Sequence, residues 1–430
     1  MARVRTFRAW RYLRDDIDIT PVTSPPYDVI ADQQRAEYAA DPYNVVALEL
    51  PEGPADPETA GNRYATARAT WDAWRESGVL VQDKASSLYV LEQRFELGGQ
   101  PRRRRAFIVE VGLEPFESGI ILPHERTLPK ALGDRFELIK ATAANFSQVF
   151  GLFDDPEGGS DSVYDAVTQA DPVATATDKD GVRSVLWAST DQALAERVSS
   201  LMADRQIFIA DGHHRYATAL AYRDLVRQQA GVTEEAQGGA PSEFILMALV
   251  NMDDPDLVVL PYNRVADGVA FDPSEFRSAL SRTFELSELE RGHPAGVLEQ
   301  QSRPAFLVKT RADERPFLAV LRLQVDPRSA IGVERSNAWK SLDVAILQEL
   351  VLWPLLGIHP DHPETLERIQ FSKDAHDAFN ATSVHDVAFV LRPTKLSELR
   401  AVSLAGETMP QKSTYFFPKL LSGLVFRSAE

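Results

Sequence analysis

Apolar positions recur with two different periods along this chain. Tyr64, Ala67, Trp71 and Trp74 return at helical spacing and predict a helix with one apolar face. LYVLEQRFEL and AFIVEVGL flank the turn GGQP and predict a β-hairpin. DRFELIKATAAN predicts a helix and FSQVFGLF a strand. After the turn-rich break DDPEGGSDS, helices and the short strand SVLWAS are expected between Val163 and Ala203. QIFIADGHHRYATALAYRDLVRQQ predicts strand, turn and helix. QQAGVTEEAQGGAPS then interrupts the pattern with glycine, proline and acid, as a mobile surface loop would. EFILMALVNM and DLVVLPYNRVA predict two buried strands, and DVAILQELVLWPLLG a helix stopped by Gly357 and Pro360.

This order predicts an α/β chain (α+β mixed) of several subdomains, since 430 residues exceed what one small core needs. The expected divisions are an N-terminal α/β subdomain over 1–155, a central one over 156–268 and a satellite lobe over 269–340. A C-terminal helix with strands, 341–430, is expected to pack back on the core.

Composition narrows the class. A 44% hydrophobic and 25% charged chain is globular, not collagenous, disordered or coiled coil. No apolar run is long enough to span a bilayer, so no membrane partner is expected. The start, MARVRTFRAWRYLRDD, has arginines without an apolar stretch and reads as mature structure, not as a signal peptide. With no cysteine there are no disulfides, thiolate metal sites or cysteine nucleophiles, which fits a reducing, cytoplasmic setting. A net charge of −17 repels nucleic acid unless basic residues gather on one face. The one dense basic run, Arg102–Arg105, has no interleaved aromatics and reads as a solvated hairpin end. No sequence signal bears on oligomeric state.

The strongest chemical signal is Asp211-Gly212-His213-His214-Arg215. Ile207 to Ala210 form a short apolar run, and Ala217, Leu220, Ala221 and Leu225 give the following segment one apolar face. His213, His214 and Arg215 therefore fall in the first helical turn, where amide hydrogens lack intrahelical partners and the helix dipole favours negative charge. Gly212 allows close backbone approach, and Arg215 supplies a planar fork suited to phosphate oxygens. Together they predict a phosphate site. The plainer reading makes Asp211 an N-cap and the histidines surface groups. Adjacent histidines lack the spacing of three or four that zinc sites use, and no metal ligand is assigned.

Two loops carry further polar clusters. Pro123-His124-Glu125-Arg126-Thr127 is followed closely by Lys130, Asp134 and Arg135. Glu125 is placed to accept a proton from a hydroxyl or water, and a salt-bridged surface loop is the alternative. GETMPQKST nearly fits a Walker A loop, but Gln411 replaces its second glycine. Pro410 and the following TYFFP do not form the required loop and helix, so the P-loop reading is rejected. Lys412, Ser413 and Thr414 stay as expected ligand contacts from a loop.

PPYDV, ILPHERT, IADGHHRY, NMDDPDLVVLP and MPQKSTYFFPK together resemble the prokaryotic family catalogued as domain of unknown function 1015, nearly end to end from Pro25 to Lys419. PYNR at Pro261–Arg264 departs from it, lacking a histidine before the arginine. The DGHHR turn also resembles a helix-start motif of the ParB/sulfiredoxin-like fold, which holds nucleotide phosphates in partition proteins and free serine kinases. That resemblance implies a strand–turn–helix core of this type. It also implies a glutamate that deprotonates the substrate hydroxyl, a role that falls to Glu125.

Two functions are compatible with these residues. The first is a small-molecule phosphotransferase, for a free amino acid or similar metabolite, or a related phosphohydrolase with water as acceptor. Asp211, Gly212, His213, His214 and Arg215 would hold phosphate of ATP or ADP, with Glu125 and His124 in proton transfer. Arg126 and Lys412 would offset charge, and Mg²⁺ would ride on the phosphates or a carboxylate. The second is a nucleotide-binding regulatory clamp of the ParB-like type, without turnover. A common site requires the HERT, DGHHR and QKST clusters within reach of one reacting atom.

Overall fold

The computed structural model describes residues 2–13, 18–127, 129–231, 238–269, 272–289, 294–359 and 362–430. They form two compact units. One comprises Met1–Pro123, Thr127–Leu257 and Pro418–Glu430, and the other His124–Arg126 and Val258–Phe417.

The first unit is built on a mixed sheet of nine strands among the described residues. Phe244–Asn251 is apolar along nearly its whole length and lies at the centre. It pairs antiparallel with Gln100–Gly112 and parallel with Val149–Phe153. Such a run is what a strand covered on both faces requires. Ile207–Asp211 adds antiparallel to Val149–Phe153, and Ile121–Leu122 adds parallel beyond it. On the other side come Leu88–Leu97, Arg183–Ser189 and Ala174–Thr177. Gly151 is fixed by packing: a Cβ there would come within 2.8 Å of Ile207 and 2.7 Å of Met247.

Helices Arg63–Glu76, Pro129–Thr142 and His213–Ala230 pack in sequence against one another. The predicted face of the first is its buried face: Tyr64, Ala67, Trp71 and Trp74 are all inside. Asn62 caps that helix, accepting from the amides of Tyr64 and Ala65.

The hairpin Leu88–Leu97/Gln100–Gly112 forms as expected, but its arginines are not all at a solvated tip. Arg104 is 1% exposed. It shares strand parity with the buried Ala106 and Ile108, so alternation turns its side chain inward while Arg103 stays outside.

The second unit has a six-stranded antiparallel sheet among the described residues, ordered Phe284–Glu288, Phe317–Leu321, Ala305–Thr310, Val387–Val390, Asn263–Ala266 and Ile369–Ser372. DLVVLPYNRVA, expected as one strand, splits at Pro261. Val258–Leu260 pairs with Tyr415–Phe417, and Asn263–Ala266 joins the main sheet. The proline has no amide to continue a ladder. The helix from Asp343 passes through a π-turn at Gln348–Leu352 and ends at Gly357, whose φ of 68° closes it in the left-handed region. Pro360, residues 232–237 of the expected surface loop and the Lys130 side chain lie outside the described residues. No described helix is long and apolar enough to cross a membrane.

Candidate functional site

In the first unit the predicted strand, turn and helix are present as Ile207–Asp211, Gly212 and His213–Ala230. A β-bulge precedes the turn: Ile209 lies opposite Gly151, but Asp211 opposite Phe150, so Ala210 is the extra residue. A bulge re-aims the side chain next to it, here that of Asp211. Gly212 has φ 90°, and a Cβ on it would lie 2.9 Å from the Arg215 guanidinium. Glycine is therefore required twice, by dihedral and by space.

Arg215 folds back over that glycine. Its Nη2 donates to Asp211 Oδ2 at 3.0 Å, and its Nη1 to Ser147 Oγ at 2.9 Å and the Gln148 carbonyl at 2.7 Å. The fork expected to grip phosphate is engaged here by the protein itself, fixing Asp211 and the 147–148 turn. Beside it lies a cavity of ≈ 40 Å³ whose wall includes Glu49, Arg135, Ser147, Arg215 and Thr218. That is room for water, which needs about 10–15 Å³, and not for a nucleotide. His213 is buried and His214 half-buried.

The other Asp211 oxygen belongs to a residue outside the motif. Lys419 Nζ donates to Asp211 Oδ1 at 2.8 Å. Burial by itself would raise the Asp211 pKa, but Lys419 and Arg215 outweigh it and hold the carboxyl well below the usual carboxylate range. Lys419 is held by the hairpin: Gln93 Nε2 donates to the Lys419 carbonyl at 2.9 Å, and Arg104 donates to the Pro418 carbonyl and to Gln93 Oε1. The Arg104 guanidinium also lies 4.8 Å from the Phe150 ring centre, and burial lowers its pKa to about 9. Arg104 and Lys419 are thus site residues given no role on sequence grounds, although one lies in the arginine run and the other closes MPQKSTYFFPK. Strand parity could have flagged the first.

The second unit brings HERT and QKST together. His124 is 1% exposed, and its Nε2 lies 2.8 Å from Thr414 Oγ1. The His124 carbonyl accepts from the Met409 amide at 2.8 Å, and Glu125 forms a parallel bridge with Met409. Ser413 and Thr414 are buried. The Ser413 hydroxyl donates to the Pro410 carbonyl, and Thr394 Oγ1 donates to the Ser413 carbonyl at 2.8 Å. Arg264, from the divergent PYNR segment, donates to the Gln411 and Lys412 carbonyls at 3.4 and 3.3 Å and to the Tyr262 carbonyl at 2.7 Å. Burial lowers its pKa to about 10. Lys412 sits at φ 54°, unusual for a residue with a side chain, with Nζ 5.3 Å from the Tyr262 ring centre. Glu125 is half-buried and Arg126 exposed.

No curated protein matches the sequence. Among solved structures, free serine kinase, as a glutamate-to-alanine mutant in complex with ADP, is similar at 14% identity and TM-score 0.35, over 72% of this chain and 87% of that one. A conserved hypothetical protein from Pyrococcus furiosus is similar at 13% identity and TM-score 0.33, over 73% and 92%. SbnI from Staphylococcus aureus, with a C-terminal truncation, is similar at 12% identity and TM-score 0.34, over 73% and 85%. Residues 4–345 match the family described as Protein of unknown function (DUF1015), and the chain belongs to that family.

Proposed function

We propose that this protein is a nucleotide-dependent phosphotransferase acting on a small hydroxyl-bearing metabolite, such as a free amino acid, or a related phosphohydrolase in which water replaces the hydroxyl. The observation that carries the reading is the convergence of Lys419, Arg215 and the Gly212 helix start on Asp211. Two cations around one carboxylate leave one positive charge, where the amides of an 18-residue helix begin. Phosphate is the ligand such a place favours, and the fixed cations need no reorganisation when negative charge develops.

In this reading the helix-start amides of His213, His214 and Arg215 hold the phosphates of ATP or ADP. Both Asp211 oxygens are committed to cations, so Asp211 does not fit as a metal ligand. Mg²⁺ would ride on the nucleotide's phosphates and would shield their charge. In such a transfer the new P–O bond forms as the bond to the departing nucleotide breaks, and the hydroxyl proton is assigned to Glu125, a residue of the second unit. Arg126 and Lys412 are assigned to charge offset within the second unit, where His124 orients the Glu125 segment through Thr414.

The test is isothermal titration of ADP and a non-hydrolysable ATP analogue, with Mg²⁺, into the natural chain and Lys419→Met, followed by turnover assays with amino-acid acceptors. Binding that the substitution weakens more than tenfold is expected. Nucleotide binding indifferent to Lys419→Met would overturn the placement, and binding without turnover would make the protein a clamp.

A further inference from the structure

A second cationic cluster in the first unit takes no part in that reading. Arg5, Arg8 and Arg427 border a hollow of ≈ 340 Å³ together with Gln82, Glu110 and Pro241. Its floor is built from buried charge. Glu110, 5% exposed on the strand Gln100–Gly112, accepts from Arg5 Nε on one oxygen and from Arg427 Nε on the other. Arg427 is itself 2% exposed, and also donates to Asn145 Oδ1 at 3.1 Å and to the Pro241 carbonyl. Arg5 lies 3.6 Å from the Phe244 ring centre and donates to the Gly239 carbonyl at 2.9 Å.

Among the described residues, the other carboxylates nearby have partners of their own. Asp83 is bound by Arg11, with Oδ1 2.6 Å from its Nη2, and Arg8 donates to the Asp83 backbone carbonyl at 2.8 Å. Glu430, also on the wall, is held by Arg68 at 2.8 Å. Three guanidiniums against Glu110 and Glu430 therefore leave one formal positive charge among the residues bordering the hollow, in a chain whose net charge is −17. Burial lowers the Arg427 pKa; Glu110 opposes that and Arg5 adds to it, so an anion arriving here relieves a real electrostatic cost.

We propose that this hollow is a second anion site, independent of the Asp211 site, which takes a small oxyanion: a phosphate group or a small carboxylate. Guanidinium forks match both geometrically.

The experiment is phenylglyoxal labelling of the full chain, read residue by residue by mass spectrometry. It is done with inorganic phosphate, with malonate, and with sodium chloride at matched ionic strength. At tenfold excess over its Kd, the bound anion should slow labelling of Arg5 and Arg8 on the order of tenfold. Arg8→Gln, an exposed substitution, should abolish protection of Arg5, while Lys419→Met should leave it intact. Protection by phosphate alone, or by malonate alone, supports the site and identifies the source. Equal slowing by chloride, no slowing, or loss of protection in Lys419→Met would each overturn it. Because Lys419→Met tests the Asp211 site separately, either site can fail without the other.

Discussion

Lys419 and Asp211 are 208 positions apart in sequence, and their side chains meet at 2.8 Å. Lys419 is 9% and Asp211 17% exposed at the side chain, so this is an ion pair largely out of water. Together with Arg215 it turns a generic helix start into a defined electrostatic feature. Breaking such a pair from one side leaves the other charge buried, which is where the cost arises.

Lys419→Met should accordingly destabilise the first unit by about 3 kcal/mol, read by urea denaturation, and Asp211→Asn in the same chain should recover part of that loss. The pH dependence has a definite sign. The folded Asp211 pKa lies below its unfolded value, so its contribution is present above about pH 4 and is lost as pH falls through the folded value. Removing Lys419 weakens that depression, and the acid-unfolding midpoint of Lys419→Met should move to higher pH. An unchanged midpoint would mean the pair contributes nothing in solution.

Gly212→Ala tests the turn. The φ of 90° disfavours any side chain, and the added Cβ meets the Arg215 guanidinium at 2.9 Å. A loss of about 1–3 kcal/mol is expected, with weaker phosphate binding because Arg215 must shift from Ser147 and Gln148. Thermal denaturation and phosphate titration on the variant check both parts. Wild-type stability would show that the turn relaxes freely.

The local part of this arrangement was legible in sequence because it obeys local rules. The apolar run Ile207–Ala210, the Asp-Gly turn and the period of Ala217, Leu220, Ala221 and Leu225 specify strand, turn and helix without outside help. The Trp71 and Trp74 helix face was equally plain. Lys419 was not legible as a site residue, since only tertiary folding brings it to Asp211. Arg104 was hidden inside a run of four arginines that read as one solvated patch. Its parity with Ala106 and Ile108 separates it, once strand alternation is applied residue by residue. His124 and Thr414 were expected to face a ligand, and their 2.8 Å contact shows the two loops holding each other.

Arg104→Leu probes the tether that holds Lys419. The substitution removes the guanidinium from the Phe150 ring and leaves the Pro418 carbonyl and Gln93 Oε1 without their donor. Unsatisfied buried acceptors cost about 1–3 kcal/mol each, so a destabilisation of about 2–6 kcal/mol is expected for the two. Because Arg104 acts through Lys419, nucleotide affinity should fall in Arg104→Leu and fall little further in the double variant Arg104→Leu/Lys419→Met. Titration of the two variants gives the comparison, and fully additive losses would remove Arg104 from the chain of positioning contacts.

Glu125→Gln and Arg215→Ala separate catalysis from binding. Glutamine keeps nearly the shape of Glu125 and its backbone bridge to Met409, but it cannot accept the hydroxyl proton. General base catalysis contributes roughly 10²–10⁴-fold, so kcat should fall by that order while the nucleotide Kd stays within about twofold. Arg215→Ala acts on the ground state. It frees Asp211 Oδ2, Ser147 and the Gln148 carbonyl together, so affinity and stability should fall before any effect on the chemical step. The measurements are steady-state kinetics and titration on both variants, at a pH where the natural chain is fully folded. Full turnover in Glu125→Gln would exclude that residue as the base. Unchanged nucleotide affinity in Arg215→Ala would move the phosphates away from the Gly212 helix start.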